Sequence, residues 1–144
     1  MYLQKKIYLV ISLLIGGCST NDVTGPVPDF SGTYKSITFI EPGPADGGVD
    51  IQKAGGYLQI TFYKYCEFSV DLFIPTNSKS NYAAGHKYFK GNYTFKDSIV
   101  EFQTLYFIVK ELIWNKNKFQ LESPEVSPRG RPFKIILTKK AKPD

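Results

Sequence analysis

The side chains from Phe30 onward alternate between apolar and polar with a period of two, which favours strands over helices. The pattern is clearest at Leu58, Ile60 and Phe62, which alternate with more polar neighbours. A period of two places successive side chains on opposite faces of a strand, whereas a helix repeats every 3.6 residues. No segment after residue 30 shows convincing helical periodicity. The sequence therefore predicts an all-β domain.

Loop and turn signals divide this alternating region into about eight strands. The segments 41–56, 75–87 and 123–132 are rich in Gly, Pro or polar residues and are typical of long loops. Shorter polar segments, such as 64–67 and 115–117, are typical of the turns of hairpins. The predicted strands lie at 32–40, 57–63, 68–74, 89–95, 99–104, 105–114, 119–121 and 133–138.

Strands joined mostly to their sequence neighbours favour a single antiparallel up-and-down barrel. Closure of about eight such strands removes the exposed sheet edges and buries one apolar face of each strand together. Phe62 and Phe95 lie in the middle of apolar phases and are predicted core residues. In the first strand, Ile37 and Phe39 fall on the same predicted face. A two-sheet β-sandwich remains the alternative architecture.

The segment from Met1 to Cys18 has the layout of a secretion signal. Lys5 and Lys6 precede an apolar run, and small residues follow that run. The run from Ile7 to Ile15 is far shorter than the roughly 20 residues that a helix needs to span a bilayer. An ordinary signal peptide cut elsewhere and a short membrane anchor are the alternatives.

The order Ile15-Gly16-Gly17-Cys18 resembles the lipobox of bacterial lipoproteins. This resemblance implies that residues 1–17 are removed and that Cys18 becomes the N-terminus. It also implies a thioether-linked diacylglycerol on Cys18 and a further acyl chain such as palmitate. By analogy with enteric bacteria, Ser19 indicates sorting to the outer membrane of the cell envelope. Residues 18–29 then form the lipidated cysteine and a flexible tether.

The domain at 30–140, which precedes a tail at 141–144, resembles the lipocalin and related calycin barrels. Gly32-Thr33-Tyr34 opens the first strand, hairpins follow, and Phe133–Lys139 closes the chain. Tyr34 stands where the Gly-x-Trp motif of that family has tryptophan. The resemblance implies a barrel whose interior holds a hydrophobic or amphipathic ligand.

Charge and cysteine content exclude several other functions. Loss of the signal peptide leaves 16 basic and 13 acidic side chains, an excess too small and scattered to predict a nucleic-acid partner. With Cys18 lipidated, Cys66 has no intrachain partner, so an inert thiol is expected, with an intermolecular disulfide as the alternative. One histidine, His86, supports neither a zinc site nor an activated cysteine. We expect no enzyme activity, metal or cofactor, and a monomer.

The apolar run 105–114 supplies the candidate ligand-binding residues. Glu111 is in phase with one set of apolar side chains, and Lys110 is in phase with the other set, which includes Trp114. Both faces are apolar, so the sequence does not decide which charged residue points inward. Either one could anchor a ligand or lie exposed near a strand end. Glu111, Lys110 and Trp114 are therefore the candidate ligand contacts.

Tyrosines provide a second candidate surface. Five of them fall outside the apolar phases or near loops: Tyr57, Tyr63, Tyr65, Tyr82 and Tyr88. Exposed tyrosines are favoured at contact surfaces, although strand propensity alone also enriches tyrosine. Two functions thus compete: a lipid-anchored barrel that binds a hydrophobic ligand, and a structural or interaction lipoprotein with a packed core that acts through its loops.

Overall fold

The computed structural model describes residues 31–41, 48–103, 109–118, 120–124 and 134–141. The predicted signal peptide, Cys18 and the tether lie outside these residues, as does most of the predicted loop 123–132. Within the described ranges, no helix is long and apolar enough to cross a membrane.

Nine β-strands and no helix make up the regular structure of the described residues. The strands are β1 (Gly32–Glu41), β2 (Val49–Asp50), β3 (Tyr57–Phe62), β4 (Glu67–Ile74), β5 (Gly85–Lys96), β6 (Ile99–Phe102), β7 (Glu111–Asn115), β8 (Gln120–Glu122) and β9 (Lys134–Lys139). The predicted all-β class is confirmed.

The sheet closes on itself as an antiparallel barrel. Each strand from β3 to β9 pairs with its sequence neighbour, and β1 pairs with both β3 and β9. Eight strands therefore form an up-and-down barrel. The two-residue β2 pairs with Ile40 and Glu41 at the C-terminal end of β1. The predicted barrel is confirmed, because β1 and β9 pair with each other and leave no open edge between them. The alternative β-sandwich is excluded.

Two strand boundaries differ from the prediction by more than two residues. β5 begins at Gly85, inside the predicted loop 75–87, because residues 85–88 pair with 71–74 of β4 despite their polar composition. β7 begins at Glu111, and Val109 and Lys110 before it are not in a strand; residues 105–108 of the predicted strand 105–114 lie outside the described part. Both boundaries follow from pairing with the neighbouring strand, which cannot be predicted from the local amino-acid composition.

A bulge reverses the predicted side-chain phase in the first half of β1. The pairing with β9 shifts register between Ser36 and Thr38. Tyr34 and Ser36 are consequently buried and Ile37 is 53% exposed, whereas Phe39 is buried on the other side of the shift. The shared face predicted for Ile37 and Phe39 is therefore wrong, since a bulge adds one residue to one strand and breaks simple alternation.

The core is one contiguous cluster of apolar side chains that spans the barrel. Its buried members are Tyr34, Phe39, Ile51, Leu58, Ile60, Phe62, Cys66, Phe68, Val70, Leu72, Ile74, Tyr93, Val100, Phe102, Val109, Leu112, Trp114, Leu121, Ile135 and Leu137. Phe62 is confirmed as a core residue, whereas Phe95 is half-buried and packs against the cluster from its edge.

Candidate functional site

Aromatic rings occupy part of the barrel interior. The ring of Tyr34 meets Phe62 edge-on at 5.5 Å and Trp114 at 6.2 Å between centroids. Phe62 also meets Tyr93 at 5.0 Å and lies 6.2 Å from the ring of Phe102. Edge-to-face contacts of this kind add to the burial energy of each ring. The protein's own side chains therefore fill the space around Phe62.

The three predicted ligand contacts separate in the structure. Trp114 is buried in the aromatic cluster, whereas Lys110 and Glu111 are exposed. Glu111 pairs with Glu101 of β6 on the outside of the barrel, and the next residue, Leu112, points inward. Neither charged side chain faces the interior, so a ligand contact by either one can take place only at the outer surface.

An open depression of about 410 Å³ lies beside Trp114. Its lining includes Ile113 and Asn115 of β7 and Glu122 of β8. The depression opens to solvent at the rim of the barrel, next to the turn between β7 and β8. Of the three predicted contacts, Trp114 lines this depression, and Lys110 and Glu111 do not.

Cys66 differs from its expected state. It lies in the β3–β4 turn, is 9% exposed and is disulfide-bonded. The other cysteine of the sequence, Cys18, lies outside the described residues. This contradicts the expected unpaired thiol at Cys66. Because one sulfur cannot carry both a thioether and a disulfide, a Cys18–Cys66 bond and lipidation of Cys18 are mutually exclusive.

The outer surface of β3, β4 and β5 gathers aromatic and polar side chains into rows across the strands, and we call it the β3–β5 face. The strand registers define four rows, in order along the strands: Tyr57, Phe73 and His86; Gln59, Asp71 and Tyr88; Thr61, Ser69 and Lys90; and Tyr63, Glu67 and Asn92. Successive rows are two residues apart, so the face is about 20 Å long. Lys35 of β1 extends the second row beside Gln59.

Asp71 lies in a middle row of this face, hydrogen-bonded to one neighbouring ring and close to another. The Tyr57 hydroxyl donates a 3.0 Å hydrogen bond to Asp71 Oδ2, and His86 Nδ1 lies 3.8 Å from Asp71 Oδ1. Burial first, and then the hydrogen bond to Asp71 and its negative charge, raise the pKa of the Tyr57 phenol. The phenol therefore remains a hydrogen-bond donor to Asp71 well above neutral pH.

Rings and ammonium groups cover the rest of the face. His86 stacks on Phe73 with centroids 4.5 Å apart. Lys35 Nζ lies 5.3 Å from the centre of the Tyr57 ring, within the range of a cation–π contact. Lys90 Nζ lies 6.0 Å from the Tyr88 ring, whose residue remains 65% exposed. The face thus offers aromatic surface with positive charge beside it.

An open depression of about 550 Å³ occupies the end of the face beside the β3–β4 turn. Tyr63, Glu67, Lys90 and Asn92 contribute to its lining. The Tyr63 hydroxyl is hydrogen-bonded to the Ser69 hydroxyl at 3.0 Å, so the ring of Tyr63 is held along one wall. The depression offers a carboxylate, an amide and an ammonium group together.

A buried carboxylate lies where β1 ends. The side chain of Glu41 is fully buried, and its Oε1 accepts a 2.8 Å hydrogen bond from the backbone N–H of Asn81. Burial and the negative charge of Glu41 raise the pKa of Tyr82. Glu41 therefore ties the segment between β4 and β5 to the barrel, a role that its predicted place in a loop did not indicate.

The described residues contain no group of three or more His, Cys, Asp or Glu side chains suited to a metal ion. Comparisons with protein-family models, with curated proteins and with solved structures find no match for this chain. The functional inference therefore rests on the fold and on the surface chemistry. They define a small closed β-barrel with an aromatic core and a mixed aromatic and polar outer face.

Proposed function

We propose that this chain is a lipid-anchored binding protein of the bacterial cell envelope that acts through its outer surface. The observation that carries the proposal is the contrast between the filled interior around Phe62 and the open β3–β5 face. Exposed rings such as Tyr88, next to polar groups held in fixed directions, are typical of contact surfaces. The proposal puts the working surface on strands, whereas the sequence pattern favoured a ligand in the barrel interior, with the loops as the alternative.

The lipid anchor is part of the proposal and rests on the order Ile15-Gly16-Gly17-Cys18. It requires that Cys66 is not bonded to Cys18 in the mature protein, because the sulfur of Cys18 would carry the lipid. A diacylglycerol on Cys18 would hold the domain at the membrane, with Ser19 favouring the outer membrane. Residues 19–29 reach at most about 40 Å when fully extended. The protein would therefore meet partners close to the bilayer surface.

A full-length pair of variants tests the outer-surface part of this proposal. The mature chain carrying Cys18→Ser, which has no lipid, is mixed with envelope material from which detergent has removed the membranes. We expect sedimentation with this material, and we expect Tyr88→Ala to reduce it at least fivefold. Ile113→Ala, an exposed position on β7, is the control and should leave sedimentation unchanged. Equal sedimentation of the Tyr88 variant and its parent would contradict the proposal.

Enclosure of a hydrophobic or amphipathic ligand is the second candidate, favoured by the depression beside the buried Trp114. Trp114 is the only tryptophan in the sequence, so its emission would report occupancy directly. Saturable changes in emission with fatty acids, together with a higher melting temperature, would support this candidate. No response to a broad lipid panel would remove it.

A further inference from the structure

Aromatic surface on the β3–β5 face is exposed in a form that suits flat ligands. Tyr88 of β5 is 65% exposed, and Tyr63, which follows the end of β3, is 44% exposed and lies two rows from Tyr88. Tyr57 and the His86–Phe73 stack continue this aromatic surface to the far end of the face. A pyranose ring has one face covered by C–H groups, and that face packs well against an aromatic ring.

Polar groups between the rings supply both hydrogen-bond donors and acceptors. Asp71 and Gln59 lie side by side in the second row, and Gln59 Oε1 accepts a 2.7 Å hydrogen bond from Lys140 Nζ. Hydrogen bonds already hold the hydroxyls of Tyr57 and Tyr63. Preformed geometry lowers the entropy cost of binding. Alternating donors and acceptors match the hydroxyl groups of a sugar chain.

The charge of the face favours an anionic ligand. Lys35, Lys90 and Lys140 reach the face, against the two carboxylates of Asp71 and Glu67. The three ammonium groups outnumber these two carboxylates, and one oxygen of Asp71 already accepts the hydrogen bond from the Tyr57 hydroxyl. A carboxylate held beside the ring of Tyr88 would meet the ammonium group of Lys90.

The same composition disfavours a lipid surface and the core of a protein interface. Insertion into a bilayer uses exposed aliphatic or aromatic side chains with few polar groups between them. The rows of the β3–β5 face hold no aliphatic residue larger than threonine, and Phe73 lies half-buried beside His86. Protein interfaces are depleted in lysine and aspartate at their centres, whereas the two middle rows of this face hold Asp71 and Lys90.

We infer that the β3–β5 face binds an acidic polysaccharide, a sugar chain that carries carboxylate groups. Tyr88, Tyr63 and the His86–Phe73 stack pack against sugar rings, and Lys90 and Lys35 pair with the carboxylates. The depression of about 550 Å³ between Tyr63 and Lys90 receives one sugar unit at the end of the face. This inference rests on the proposed function and names the ligand class for that outer surface.

A matched pair of polymers tests the ligand class. The mature chain carrying Cys18→Ser is run through native gels that contain polygalacturonate, alginate or fully methyl-esterified polygalacturonate, whose backbone is the same but uncharged. We expect retardation by at least one of the acidic polymers and at least fivefold weaker retardation by the neutral ester. Retardation by neither acidic polymer would overturn the inference.

Variants separate ring contacts from general attraction of charge. Tyr88→Ala should weaken binding to the acidic polymer at least tenfold, and the loss should persist at 0.5 M salt, where exposed charges are screened. Lys90→Gln should weaken binding at low salt, whereas Lys116→Gln, a control in the β7–β8 turn, should not. Equal binding by the Tyr88 variant and its parent, or equal binding to vesicles of anionic phospholipid, would contradict the inference.

Two further outcomes distinguish this inference from the proposed function. If neither acidic polymer binds but the stripped envelope still retains the parent and not Tyr88→Ala, the face is a binding surface and the acidic-polysaccharide assignment is wrong. If neither the polymers nor the stripped envelope bind, both the inference and the proposed function are wrong.

Discussion

The ring of Phe62 contacts three other rings of the aromatic cluster, those of Tyr34, Tyr93 and Phe102. Loss of such a ring removes the transfer energy of the side chain and leaves a cavity whose walls relax only in part. Phe95 lies half-buried at the edge of the same core. The two phenylalanines therefore differ in their contribution to stability, although the sequence pattern treats them alike.

We expect Phe62→Ala to lower the free energy of unfolding by about 3–5 kcal/mol. Phe95→Ala should cost clearly less, because part of that ring is already in contact with water. Urea unfolding followed by circular dichroism measures both. An equal loss of unfolding free energy in the two variants would show that Phe62 and Phe95 are buried to the same extent.

The raised pKa of Tyr57 predicts a specific response to alkaline pH. Above about pH 10 the unfolded chain loses the Tyr57 proton first, while the folded chain keeps it, so folding stability falls as pH rises further. Tyr57→Phe lacks this proton and the hydrogen bond to Asp71. The stability difference between wild type and variant should therefore shrink from pH 8 to pH 11 in urea unfolding. A constant difference would contradict the assignment.

At the level of elements, the bulge in β1 shows what alternation alone cannot predict. The sequence around Ser36 has no glycine or proline to indicate a bulge, and the shift follows from pairing with β9, about 100 residues away. Ser36 compensates for its burial, because its Oγ accepts a hydrogen bond from the Leu58 N–H and donates one to Gln52. A pairing between strands so far apart in the sequence cannot be predicted from the alternation of side chains within one strand.

The tie between Glu41 and the segment 75–84 predicts a local effect. Glu41→Ala removes the acceptor of the Asn81 N–H and should increase amide hydrogen exchange in this segment, with a stability loss of about 1–3 kcal/mol. Glu41→Gln keeps an acceptor oxygen and should exchange more slowly than the alanine variant. Glu101→Ala, at an exposed position on β6, is the control. Unchanged exchange at Asn81 in the alanine variant would show that Glu41 does not hold this segment.

At the level of the whole molecule, the period-two pattern and short turns were sufficient to predict the closed barrel. The same pattern placed Tyr63 and Tyr88 on the outside, where the structure has them. It could not bring Asp71 and His86 together with Tyr57, because their contact depends on the registers of three strands. It also left Lys110 and Glu111 undecided, since the apolar run around them has no single phase.

The two cysteines give a test of the anchor. A lipobox at Ile15-Gly16-Gly17-Cys18 predicts that the mature N-terminal peptide carries acyl chains, and the Cys18→Ser variant should move from the detergent phase to the aqueous phase. Mass spectrometry of the non-reduced protein checks the alternative. A peptide that links Cys18 to Cys66 in the mature protein would contradict lipidation of Cys18, because both bonds need the same sulfur atom.

We propose that the outer face of the barrel binds the ligand and that the interior does not. Nuclear magnetic resonance of the labelled mature chain carrying Cys18→Ser, with soluble fragments of stripped envelope material added, locates binding residue by residue. We predict that amide shifts change in the rows of Gln59, Asp71 and Lys90, while those of the core around Phe62 and Trp114 stay in place. Changes confined to Phe62, Trp114 and their buried neighbours would contradict the claim and identify an enclosed ligand.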